Sequence, residues 1–202
     1  MANYLEFNLF KQYTVAVKQF LIKTLWLKEY SEENNVQAFF ALPTRTFAKK
    51  IVPMLNGGNL NPTASFYLSK YDFNKNESPG GYFRKSVRIG SDKFQELRHP
   101  LPYTLTFRLT LWTNLHAEMD VLIWQLYNAA SFNRPFATHI DGQWCQMYIG
   151  DPVKENDVEP GDQGDQSPLR YGVDITIPRA YLPLDYNEYT GIIGEINIGW
   201  DF

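Results

Sequence analysis

The sequence predicts an α+β fold: an antiparallel-rich mixed sheet, two main helices packed on one face, and an extended C-terminal arm. Three observations carry that expectation. Two stretches, near residues 9–24 and 115–130, space their apolar residues three and four apart, as amphipathic helices do. Other runs, such as YTLTFRLTLW (103–112) and YGVDITIP (171–178), alternate apolar and polar residues, the period of a half-buried strand. Helices do not alternate regularly with strands, which argues against a doubly wound parallel sheet. No period of 20–50 residues recurs, so the chain is not a repeat array.

The first helix places Leu9, Tyr13, Val17, Phe20, Leu21 and Thr24 on one face, with Lys11, Gln12, Lys18 and Gln19 off it. From Lys23 to Glu29 the period drifts towards alternation, with Leu25 and Leu27 opposite Trp26, so a strand is expected to begin there. Ser31–Asn35 is a polar turn. VQAFFAL (36–42) reads as a strand stopped by Pro43, which has no amide for a ladder. Thr44 or Thr46 caps a short helix through Phe47, Ile51 and Val52 that is expected to end near Pro53. NGGNLN (56–61) is a turn. In residues 63–72, Ala64, Phe66 and Leu68 alternate with Ser65, Tyr67, Ser69 and Tyr71. A loop, NKNESPGG, precedes a further strand at 82–89.

The joint at 101–132 changes period with almost no linker. Tyr103, Leu105, Phe107, Leu109 and Leu111 form one strand face, against Thr104, Thr106, Arg108 and Thr110. Thr113 or Asn114 is expected to cap the next helix, with Glu118 and Asp120 near its positive end. Its buried stripe reads Leu115, Met119, Leu122, Ile123, Leu126 and Ala130, and Asn133 and Pro135 end it. A strand follows at 144–149, then an acidic loop at 151–167. Next comes the strand in which Tyr171, Val173, Ile175 and Ile177 alternate with Gly172, Asp174, Thr176 and Pro178. The expected organisation is one domain at 1–185 and an arm at 186–202.

A chain of 202 residues buries roughly 70% of its unfolded surface and needs no staples. It is 16% aromatic, a surplus suited to a core or to contacts with other chains. A net charge of −3 argues against a nucleic-acid-binding surface. The start, MANYLEFNLFKQ, lacks the basic and apolar runs of a secretory signal, and no apolar run reaches the ~18–20 residues of a membrane span, so a soluble, intracellular protein is expected.

Candidate chemistry is sparse. His99, His116 and His139 are scattered without ligand spacing, and Cys145 reads as a packed thiol. The pairs Gly57–Gly58 and Gly80–Gly81 lack the ending of a phosphate loop. No catalytic residue, cofactor or metal is expected. Asp151, Glu155, Asp157, Glu159, Asp162 and Asp165 face the single Lys154; their spacing does not match a calcium loop, and a solvated loop or a steering surface remains. Within it Asp157, Glu159 and Asp162 are candidate interaction residues. The arm, with Tyr186 and Tyr189, alternates Ile196, Ile198 and Trp200 with polar residues and ends at Phe202. It either adds a strand to another chain or folds back as an edge strand of its own sheet.

The order of pieces carries a resemblance: the helix NLFKQYTVAVKQFLIKTLWLK, then VQAFFALPTRTFAKKIVPML, TASFYLSKYDFN, the joint PLPYTLTFRLTLWTNLHAEMDVLIWQLYNAASFNRPF and RYGVDITIPRAYLPLDY. Over most of residues 5–186 this resembles the tail sheath stabiliser, or tail completion, proteins of T4-like contractile-tailed phages, which have the tail-terminator fold. The chain looks shorter than those proteins, and LDYNEYTGIIGEINIGWDF has no counterpart in them. The resemblance implies a structural virion protein, assembled in the host cytoplasm. It would form a six-membered homo-oligomeric ring at the head-proximal end of the tail, capping tube and sheath and docking on the neck. Its partners would be the sheath, tube or terminator proteins and the neck or connector protein. DNA would pass through the lumen without specific binding, and no membrane is involved. A neck, head-completion or baseplate component is the nearest alternative, and a small α+β enzyme with dispersed site residues is the alternative of another class.

Overall fold

Side-chain chemistry decides where each predicted period becomes hydrogen-bonded structure. The computed structural model describes residues 10–28, 30, 35–57, 60–74, 84–88, 94–98, 101–130, 135–140, 143–155, 168–182 and 190–191. Helix α1 (Lys11–Thr24) buries Tyr13, Val17, Phe20 and Leu21, the stripe its period predicts; Leu9 lies outside the described residues. The strand expected from Lys23 onward does not form. Leu25 and Leu27 are buried and Trp26 is exposed, as alternation requires, but two amide side chains take the place of a ladder. Gln125 accepts from the Trp26 amide at 3.0 Å and donates to its carbonyl at 2.6 Å. Asn35, buried, does the same for Leu27 at 3.0 and 2.9 Å.

Strand β1 (Gln37–Phe40) pairs in parallel with β2 (Thr63–Phe73), with Gln37 opposite Thr63 and Phe40 opposite Phe66. A parallel pair needs a crossover, and α2 supplies it in three pieces: α-helical Pro43–Thr46, a π-helical turn at Phe47–Ile51, and α-helical Val52–Asn56. Pro53 does not end this helix, as the sequence led one to expect. The π turn bonds the Val52 amide to the Phe47 carbonyl, and Pro53 then sits in the opening turn of the last piece, where a missing amide is tolerated. Leu42 rather than a threonine stands at the N-cap of the first piece.

Strand β5 (Leu101–Thr113) leads into helix α3 (His116–Ala129) through Asn114 and Leu115. Two expectations at this joint are corrected. Thr113 is buried at the strand end and its hydroxyl donates to the Leu115 carbonyl at 3.1 Å, so it caps nothing; Leu115 is the N-cap residue. Leu115 is therefore outside the helical stripe and 58% exposed, and Ile123 is half-buried, whereas Met119, Leu122 and Leu126 are buried as expected.

Strands β6 (Phe136–Ile140) and β7 (Gln143–Ile149) form an antiparallel hairpin, and His139 lies in β6. Strands β8 (Val153–Lys154) and β7 both run antiparallel to β9 (Leu169–Leu182). The main sheet, among the described residues, has the order β1-β2-β5-β9-β7-β6, with β8 attached to β9. It is mixed and antiparallel-rich, and with the helices it makes an α+β fold.

The chain divides into two compact units: Met1–Asp72 with Thr104–Ala180, and Phe73–Tyr103 with Tyr181–Phe202. In the second, β3 (Arg84–Arg88), β4 (Phe94–Arg98) and β10 (Thr190–Gly191) form an antiparallel sheet in the order β10-β4-β3. Strand β3 falls within the strand expected at 82–89; β4 and β6 were not foreseen. Thr190 and Gly191 of the arm pair with Gln95 and Phe94 of the same chain. No helix among the described residues is long and apolar enough to cross a membrane.

Candidate functional site

The two faces of β5 separate core from site. Leu105, Phe107, Leu109 and Leu111 point one way and are fully buried. Trp112 and Arg108 point the other way. Trp112 packs with Ile51 and Leu60, and with Phe47, Met54 and Leu55 around them, so α2 covers this second face at its upper end. The Phe47 and Trp112 rings are 5.7 Å apart.

Below Trp112 lies a ladder of charges. On β9, Arg170, Gly172 and Asp174 share one face at a spacing of two, while Val173 and Ile175 bury on the other. Arg108 reaches from β5 across β9 to Glu155, the residue after β8. Its Nε and Nη2 donate to Glu155 Oε1 at 3.2 and 2.7 Å, and its Nη1 donates to Asp174 Oδ1 at 3.1 Å. Arg170 meets the other Glu155 oxygen at 2.6 Å, a close charge contact without an aligned N–H. Its guanidinium also lies 4.8 Å from the Trp112 ring centroid, within cation–π range.

Gly172 makes the crossing possible. A Cβ there would collide with Glu155 Oε1 and with the Arg108 guanidinium, so the bridge lies directly on bare backbone. Burial works against the Arg108 charge, but the hydrogen bonds and charges of Glu155 and Asp174 outweigh it, and its proton is held more firmly than usual.

This ladder joins residues on either side of the acidic segment 156–167. The Glu155 amide donates to the Arg170 carbonyl at 3.0 Å, so backbone and side chain both tie Glu155 to β9. Pro152 follows Asp151 where β7 gives way to β8, a place where β9 receives no amide from it. The sequence reading of Glu155 as a solvated loop carboxylate is corrected: its side chain is only 17% exposed, because two arginines draw it down. Asp151 accepts from the Tyr127 hydroxyl at 3.2 Å, a pairing that, after burial, helps push the Tyr127 phenol up.

The interaction residues named from sequence, Asp157, Glu159, Asp162, Ile196, Ile198, Trp200 and Phe202, lie outside the described residues, as does His99. His116 is exposed in the first turn of α3, and exposed His139 stacks on Trp144 across the hairpin, with 3.8 Å between ring centroids. Cys145 is buried, and burial pushes its thiol up, against a smaller opposing effect from Tyr13. Among the described residues no three His, Cys, Asp or Glu side chains stand together as metal ligands. In the ladder each carboxylate is engaged by an arginine, and the arrangement clamps strands together. Sequence reasoning missed it because Arg108, Glu155 and Arg170 are far apart in the chain. The available signal was the polar face Arg170–Gly172–Asp174, with a glycine where a side chain was expected.

No family model matches the chain, and no curated protein matches it. Among solved structures it is similar to the sheath/tube terminator of PVC, an extracellular contractile injection system, in the extended state: 13% identity over 95% of this chain, with a TM-score of 0.44. This chain spans 63% of the length of that one. The two share too little sequence and too little superposable backbone for fold or role to pass from one to the other.

Proposed function

We propose that the protein is a structural, non-catalytic component of a contractile tail. In this reading six copies form a ring at the head-proximal end, cap tube and sheath, and join the tail to the neck. The observation that carries the reading is the joint of β5 and α3. It is the most specific part of the sequence resemblance, and the chain builds it as a long strand, a two-residue link and a helix. The exposed aromatic residues Trp26, Trp124 and Trp144 add support, because Trp is a residue type enriched where proteins meet.

Glu155 and Arg170, which flank the acidic segment 156–167 in the sequence, are clamped to each other, which suits a segment that must meet a partner or line a channel. Its carboxylates Asp157, Glu159 and Asp162 then face the DNA channel or the neck protein, where they repel phosphate or steer a basic surface. Replacing all three with lysine is expected to lower infectivity at least tenfold through failed DNA passage or neck joining, measured by plaque titre and by counting tailless heads in micrographs. Unchanged titre and assembly would remove the loop from this role. Imaging intact particles with the chain labelled tests the location: label away from the head–tail junction overturns the reading.

A further inference from the structure

The outward faces of the two long helices carry exposed apolar residues set among unlike charges. On α1, Lys11, Val15, Lys18 and Ile22 fall at i, i+4, i+7 and i+11, one stripe along the helix, and all are exposed, Val15 at 44% and Ile22 at 55%. Trp26, 46% exposed, lies just past the helix end, its backbone held by Gln125 of α3. On α3, Asp120, Val121, Trp124 and Asn128 form the corresponding stripe, with Val121 43% and Trp124 64% exposed.

The charges sort by helix. Helix α1 carries Lys11, Lys18 and Lys23 and no acid; α3 carries Glu118 and Asp120 and no Lys or Arg. Glu118 is buried and accepts the Tyr30 hydroxyl at 2.6 Å, so Asp120 is the acid that α3 presents outward. An exposed indole beside branched aliphatic residues is a poor surface for water and a good one for a partner. A nucleic acid would favour the lysines but not Asp120 or the apolar side chains. A stripe of lysine and aliphatic residues is complemented by one of aspartate, valine and tryptophan, and this chain carries both.

We propose that the α1 stripe of one copy docks on the α3 stripe of a second copy, with Lys18 and Lys23 towards Asp120 and Trp124 covering Val15 or Ile22. Repeated from copy to copy in one direction, such a contact runs head to tail and closes into a ring when the rotation allows. The inference rests on the ring reading above and adds to it the faces that join neighbours.

The test is light scattering on the full-length chain after size-exclusion chromatography, over a concentration series and with tails added, using three variants. Trp124→Ala, K18E/K23E and Asp120→Lys should each raise the concentration needed for assembly at least tenfold while leaving the circular dichroism melt unchanged. Mixing K18E/K23E with Asp120→Lys should restore assembly, because unlike charges then meet at every contact. Assembly of Trp124→Ala at the wild-type concentration, or failure of the mixture to recover, overturns this interface and leaves the ring reading intact. A wild-type chain that stays monomeric at every concentration and with tails overturns both.

Discussion

Along β5, Leu105, Phe107, Leu109 and Leu111 reach zero exposure on one face through contact with other apolar groups. On the other face Arg108 is drawn down by carboxylates contributed from two other strands' neighbourhoods, and Trp112 is roofed by α2. The first face depends on volume and tolerates no cavity. The second depends on the placement of individual charges and on the absence of one side chain at Gly172. A single strand thus holds two kinds of order, one graded and one specific, and variants can separate them.

The largest effect is expected on the apolar face. Phe107→Ala removes a fully buried ring next to Phe66, with centroids 6.5 Å apart, and should cost roughly 3–5 kcal/mol in urea unfolding. A loss under about 1 kcal/mol would mean that this face is looser than its zero exposure implies. On the charged face, Gly172→Ala should cost about 1–3 kcal/mol by forcing Arg108 and Glu155 off the backbone. Adding Arg108→Ala should then cost less than it does in the parent, and a double-mutant cycle with no coupling would show that the glycine serves another purpose.

The smallest effect is expected with pH. Burial raises the Cys145 thiol above its ordinary 9.0, so the folded state keeps a proton that the unfolded chain releases. That stability is fully present below pH 9.0 and is lost as pH climbs above it. Urea midpoints at pH 8 and 10 should fall in the parent and fall less in Cys145→Ala; equal falls would place the alkaline loss elsewhere.

How far the fold could be read from sequence follows from where the partners lie. Tyr13, Val17, Phe20 and Leu21 announce their burial by spacing alone, and so do Leu105 to Leu111. Leu25 and Leu27 also bury as alternation demands, yet no strand forms, because Asn35 and Gln125 satisfy the neighbouring backbone from positions that no local pattern points to. Pro53 looked like a helix end because a π turn leaves no mark in residue type. Leu115 matched the helical period but fell one residue before the helix began. The charge ladder was the least legible part, since Arg108 meets Glu155 only once β9 lies between them.

The clamp of Glu155 on Arg170 has an evolutionary corollary. Because the two ends of the intervening stretch are joined at its foot, its length is nearly independent of the strands that carry it: doubling such a span costs only about 0.6 kcal/mol of closure entropy. Insertions, deletions and changes of sign between those two residues can therefore accumulate while the architecture stays put. Partner preference can drift faster than shape, and foreign peptides grafted at this point should be displayed without unfolding their host.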